Sequence, residues 1–126
     1  MEHITWDHND LGISFSVSSG RITIFKTTLK ALNYPLYFRF LLDTDHKQFG
    51  IECCGFASSG SHQLPKKNAE EHCGIKSMDM VRFIYQTCGW DAKSTYRIKG
   101  IAVPDRRMIV FDLTAAMRVV EGRRLE

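Results

Sequence analysis

The sequence predicts an α+β fold: two βαββ-like units forming one antiparallel, β-rich, barrel-like core with short helices. Three observations predict it. Short stretches such as "ISFSV" and "QFGIEC" alternate apolar and polar residues, as half-buried strands do. Turn sequences separate such stretches at hairpin distance. The order helix, stop, strand, turn, strand occurs twice. It runs through "KTTLKALNYP", "LYFRFLLD", "TDHK" and "QFGIEC", and again through "DMVRFIYQTCGW", "DAKSTYRIKGIAV", "PDR" and "RMIVFDL". A strand candidate precedes each, "GRITIF" in the first half and "GIK" in the second. The chain therefore reads as a single domain, 1–126, of two pseudo-repeat units, 13–54 and 72–113, joined by a long loop 55–71. Each unit alone is too small to bury its apolar faces, so the two share one core.

The elements follow in order. Residues 13–17 form a strand, "SSG" a tight loop and "RITIF" its hairpin partner. Thr27 or Thr28 is placed to cap a short helix, with Leu29 and Leu32 on one face. Asn33 tolerates a left-handed backbone and Pro35 forbids further helix. In the next hairpin Phe38, Phe40 and Leu42 share one face, and Phe49, Ile51 and Cys53 share one face of the partner strand. From 55 to 76 the periodicity fails, and a loop of that length is a functional segment, a mobile one or a connector. Residues 55–71 are expected to be the most mobile internal stretch. Ser77 is placed to cap a helix in which Val81, Ile84, Tyr85 and Cys88 recur at helical spacing. Gly89 ends it, and Trp90 is placed to fold back on the last turn. Two strands joined by "PDR" come next, and Thr114 is placed to cap a last helix over "AAMRVVE".

Bulk properties exclude several classes. An apolar content of 44% with 25% charged residues is that of a globular chain, not a disordered one. No apolar run approaches the ~20 residues that span a bilayer. The start, "MEHITWDHND", lacks a basic n-region and an apolar h-region, which sets a cytoplasmic expectation. Cys53, Cys54, Cys73 and Cys88 then read as free thiols. The net charge of +3 is concentrated in the second half. That balance permits a nucleic-acid partner without demanding one.

The stretch "GRITIFKTTLKAL", followed by a two-strand hairpin, resembles the AbrB/SpoVT swapped-hairpin DNA-binding family. Gly20, Arg21, Ile22, Thr23, Ile24, Lys26 and Leu32 carry the match, over residues 20–54. Phe25 stands where that family has proline, Asn33 where it has a helix-ending glycine, and "YPLYF" where it has Gly-Asp. The second half is similar in element order only. The resemblance implies two intertwined βαββ units presenting basic residues to DNA. Two units in one chain would make a pseudo-dimer.

The candidate double-stranded DNA interface is Arg21, Lys26 and Lys30 from the first unit and Arg97, Lys99, Arg106 and Arg107 from the second, with Arg82 beside them. Positive charge serves phosphates, and arginine adds a bidentate fork. Arg97 and Lys99 alternate along a strand and share a face. The competing account is a solvated face whose edge charges block aggregation. Cys53, Cys54, His62, His72 and Cys73 include zinc-type ligands, but adjacent strand residues point apart, so no metal site and no cofactor is expected. Nucleotide-binding loops, nucleophile elbows and metalloprotease motifs are absent from the sequence, which points away from an enzyme. Two other readings compete with DNA binding. One is a non-catalytic protein-interaction module, acting as a homodimer or on a protein partner. The other is a small-ligand binder using loop 55–76. An exposed apolar patch distinguishes the first of these, and a concave pocket with convergent polar groups the second.

Overall fold

A computed structural model gives the fold and describes residues 10–55, 57, 60–64 and 72–120. It is a β-rich α+β fold built on a curled antiparallel sheet, a half-barrel. The strands are β1 (Gly12–Ser16), β2 (Arg21–Ile24), β3 (Tyr37–Asp43), β4 (Gln48–Cys54), β5 (Ser61–Gln63), β6 (Cys73–Lys76), β7 (Ser94–Val103), β8 (Met108–Asp112) and β9 (Met117–Val120). Helix α1 (Lys26–Ala31) follows β2, and α2 (Met78–Cys88) follows β6. The sheet order is β5-β3-β4-β8-β7-β1-β2-β6, with β9 beside the first half of β7. The expected barrel is thus open among the described residues, with β5 and β6 at its two ends.

The registers carry an approximate twofold. β2 pairs antiparallel with β6, from Arg21–Lys76 to Ile24–Cys73. β4 pairs antiparallel with β8, from Gln48–Asp112 to Glu52–Met108. The hairpin of β3 and β4 matches that of β7 and β8 position for position: Asp43–Gln48 corresponds to Val103–Met108, and Phe40–Ile51 to Gly100–Phe111. Both turns end in a left-handed residue, Lys47 at φ 52° and Arg107 at φ 51°. Each then crosses to the other hairpin. The Cys53 N–H donates to the Arg107 carbonyl at 3.0 Å, and the Leu113 N–H to the Lys47 carbonyl at 2.9 Å.

The core fills the inside of the curl. Ile13, Phe15, Ile22, Ile24, Phe38, Phe49, Ile51, Ile98, Ile109 and Phe111 point inward from six strands, each at most 1% exposed. Val81, Ile84 and Tyr85 close it from α2, Leu29 from α1 and Leu32 from the position that ends α1. Phe40 packs against this core but is only partly buried. Gly89, at φ 65°, ends α2, and the Trp90 N–H returns to the Tyr85 carbonyl at 2.9 Å. The indole then stacks on Tyr96 with ring centroids 4.3 Å apart.

Several elements depart from the sequence expectations. Neither Thr27 nor Thr28 caps α1; the cap position is Phe25, whose extended backbone ends β2. Thr28 is buried, and its hydroxyl donates to the Gly12 carbonyl and accepts from the Gly12 N–H, both at 2.8 Å. Thr27 donates to the Asp10 carbonyl at 2.6 Å. Both threonines therefore fasten α1 to the start of β1. Ser77 stands at the cap position of α2 without a side-chain capping bond. The last helix is replaced by a 3-10 turn, Leu113–Ala115, and strand β9. Asp112 caps that turn through the Thr114 N–H, and the segment 117–120 pairs with the free edge of β7. Its β-branched residues suit that edge better than a helix. Of the long loop, 61–63 form β5 on the edge of β3, while most of 55–71 lies outside the described residues.

Two expected outcomes follow from the packing. The buried Tyr85 hydroxyl lies against the carbonyls of Phe15, at 3.0 Å, and Ser94, joining α2 to β1 and β7. Tyr85→Phe removes the one hydroxyl proton that these two carbonyls share. It is expected to cost about 1–3 kcal/mol in a urea unfolding titration. His62 packs on Phe38 and Phe40, with ring centroids 5.5 Å and 4.8 Å away. Burial holds its pKa below the ordinary 6.5. The unfolded chain therefore takes up a proton that the folded one resists, so stability falls as pH drops through about 6.5. The loss of urea midpoint between pH 7.5 and 5.5 is expected to be smaller in His62→Asn.

Candidate nucleic-acid interface

Side chains alternate, so the strands that turn their apolar residues into the core present Lys76, Arg21, Thr23, Ser14, Ser16, Thr95, Arg97 and Lys99 on the outward face of β6, β2, β1 and the first half of β7. Cross-strand pairs lay out its rows. Gly74, Thr23, Ser14 and Arg97 form one, and Lys76, Arg21, Ser16 and Thr95 the next. Lys99 stands opposite Gly12 at the far end. Between these rows and the start of α1 lies a groove of about 470 Å³. Ser14, Thr23, Thr95 and Arg97 form its floor, and Phe25, Lys26 and His72 its wall.

Local geometry fixes the wall. The Lys26 N–H donates to His72 Nδ1 at 3.0 Å. With Nδ1 accepting, the neutral imidazole carries its proton on Nε2. The Phe25 ring lies against it, centroids 5.1 Å apart and 42° between planes. Gly74 leaves room on the sheet for the Arg21 side chain, which reaches across it; a Cβ there would meet the guanidinium.

Among the described residues this face carries mostly positive charge. Arg21 and Lys76 are directly opposed across β2 and β6. Like charges so placed are destabilising. Among the described residues Arg97 makes no ion pair. Among the described residues Asp10 is the carboxylate that lines the groove, and it holds Lys99 at 3.2 Å. On the other half of the sheet Arg39 pairs with Glu52 at 2.8 Å, and Asp43 meets His46 at 2.9 Å.

Of the residues expected at an interface, Lys26 and Arg97 line the groove; Arg21 lies over Gly74 on the same face, and Lys99 reaches the groove through Asp10. Lys30 stands one helical turn beyond Lys26 on α1, outside the lining. Arg106 and Arg107 occupy the turn after β7, roughly 20 Å along the strand from Arg97 at ~3.3 Å per residue. Arg107 lines a separate cavity of about 350 Å³ with Leu32, Asn33, Cys53 and Met108. Arg82 is exposed on α2. The sequence reading did not place Lys76, His72, Ser14, Thr23 or Thr95 here. Alternation in "ISFS" and "RITI" puts the hydroxyls on one face, but only the register of β2 with β6 adds Lys76 and Gly74. Burial pushes the Cys53, Cys73 and Cys88 thiols up, away from reactivity. No cluster of metal-ligating side chains occurs among the described residues. No described helix is long and apolar enough to cross a membrane.

No family model, curated protein or solved structure matches the chain.

Proposed function

We propose that this chain is a small, non-catalytic DNA-binding regulator of the cytoplasm, with an AbrB-like arrangement of two βαββ units. The observation that carries the reading is the convergence of Arg21, Lys26, Arg97 and Lys99 from both halves of the chain on one face. Like charges at Arg21 and Lys76 oppose folding slightly, and an anionic partner relieves them. The approximate twofold of the registers supports the pseudo-dimer reading, as does the resemblance over residues 20–54.

Fluorescence anisotropy with a labelled mixed-sequence DNA tests it. At about 20 mM salt, binding is expected at micromolar protein, weakening steeply as salt rises because neutralised phosphates release counterions. Absence of binding to duplex and single-stranded pools alike would overturn the proposal.

A second reading rests on the other half of the sheet. Leu41, Val110 and Ile101 form an outward apolar row across β3, β8 and β7, over Gly50. Ile101 is 72% exposed. That row favours a protein-interaction module or a homodimer, and retention of a single-molecule mass in light scattering at high concentration would count against it.

A further inference from the structure

We propose that the cavity between the end of α1 and the turn after β7 binds a small apolar carboxylate, with Arg107 holding the carboxyl group. The site is independent of the DNA-binding face, since it lies beyond the end of β7 that is far from Arg97. Its volume of about 350 Å³ falls at the lower end of the ~300–1,000 Å³ of sites that enclose small ligands. Leu32, Ile109 and Met108, with Ala31 and Ala102, give it apolar walls. The polar side chains in the lining are few: the Arg107 guanidinium, the Asn33 amide and the Cys53 thiol. Apolar walls with a few polar groups to orient the ligand are the usual composition of such a site.

The chemistry of the lining selects the ligand. Among the described residues neither the Arg107 guanidinium nor the Asn33 side-chain amide makes a hydrogen bond or ion pair. Burial pushes the Cys53 thiol up, so it stays neutral and does not meet the arginine's charge. A planar cation with a fork of donors is left for an anion, and a carboxylate matches that fork. A bare phosphate would meet the charge but cover none of the apolar walls. Asn33 at φ 61° and Arg107 at φ 51° have left-handed backbones, as does Tyr34 at φ 47°. Non-glycine residues held so cost stability and gather at ligand sites. The approximate twofold shows what makes room. Cys53 and Leu113 hold equivalent places, each donating its N–H to the opposite turn. Leu113 is 1% exposed and fills its place. Cys53 has the smaller side chain, and the cavity opens beside it.

Sodium hexanoate and neutral hexanol are the probes, titrated into the intact chain at neutral pH and followed by backbone amide NMR. Hexanoate is expected to shift Asn33, Cys53, Arg107 and Met108, half-saturating at about millimolar concentration, the scale for a ligand of that size. Hexanol is expected to bind at least about tenfold more weakly, for want of charge-assisted hydrogen bonds. Arg107→Asn removes the charge and keeps a residue that tolerates the left-handed backbone. It is expected to abolish the advantage of hexanoate over hexanol. Cys53→Leu places in the cavity the side chain that Leu113 has, and is expected to abolish binding of both probes. Shifts absent or centred elsewhere would overturn the inference, as would equal binding of the two probes. Inorganic phosphate giving the same shifts at the same concentration would also overturn it, because charge alone would then suffice. So would hexanoate binding that Arg107→Asn leaves unchanged, whether or not Cys53→Leu folds.

Discussion

Gly100→Val is expected to be the most damaging single substitution in the chain. Gly100 lies midway along β7 and faces Phe111 across the ladder to β8. A Cβ at this position would sit 2.6 Å from Ile109 Cγ2 and 2.7 Å from the Phe111 ring. Both neighbours are buried to within 1% and cannot swing away. Overpacking of this kind costs about 1–3 kcal/mol for a modest excess and more for a branched side chain. On the order of 4 °C of melting temperature is lost per kcal/mol in a domain of this size. A fall of 10 °C or more is therefore expected by differential scanning calorimetry, with Gly100→Ala intermediate. Gly74→Ala is the contrast. Its Cβ would meet the far end of the exposed Arg21 side chain, which can move, so the effect on stability is small. The matching position of the other hairpin carries Phe40, which is only partly buried, whereas the space beside Gly100 is taken by Ile109 and Phe111.

The largest functional effect is expected from Arg21→Ala with Arg97→Ala. Both side chains are exposed and neither supports the core. Surface changes of this kind are usually within ~0.5 kcal/mol of neutral for stability. Each arginine that meets a phosphate contributes about 0.9 to the slope of log affinity against log salt. Removing two is expected to flatten that slope by about two. Affinity at low salt is expected to fall by roughly tenfold or more, for any DNA sequence, because phosphate contacts carry no base information. Arg106→Ala with Arg107→Ala, on the remote turn, serves as the control and is expected to change affinity far less.

The elements with strong local signals were legible in the sequence. Alternation located β1, β3 and β4, and the apolar spacing of Val81, Ile84 and Tyr85 located α2. What escaped depended on partners distant in the chain. Thr28 has the chemistry of a cap, yet its hydroxyl is claimed by both backbone groups of Gly12. Residues 117–120 have no helix-breaking residue, but the open edge of β7 captures them as a strand. β5 is only three residues long and exists because β3 offers an edge. The groove shows the same limit. Arg97 and Lys99 share a face by simple alternation, but their meeting with Lys26 and His72 needs β1 to lie between β2 and β7. That strand order is a property of the whole sheet, not of any stretch. Lys30, Arg106 and Arg107 have the same charge as the groove residues, and only their places in the fold set them apart from it.

The most direct measurement is a backbone amide NMR titration of the intact chain with a short DNA duplex at low salt. The account predicts that shifts concentrate at Ser14, Thr23, Lys26, Gly74, Thr95 and Arg97, and that they reverse on adding salt. Shifts centred instead on Leu41, Val110 and Ile101, or on the turn at residues 104–107, would contradict it, as would a spectrum that does not change at all.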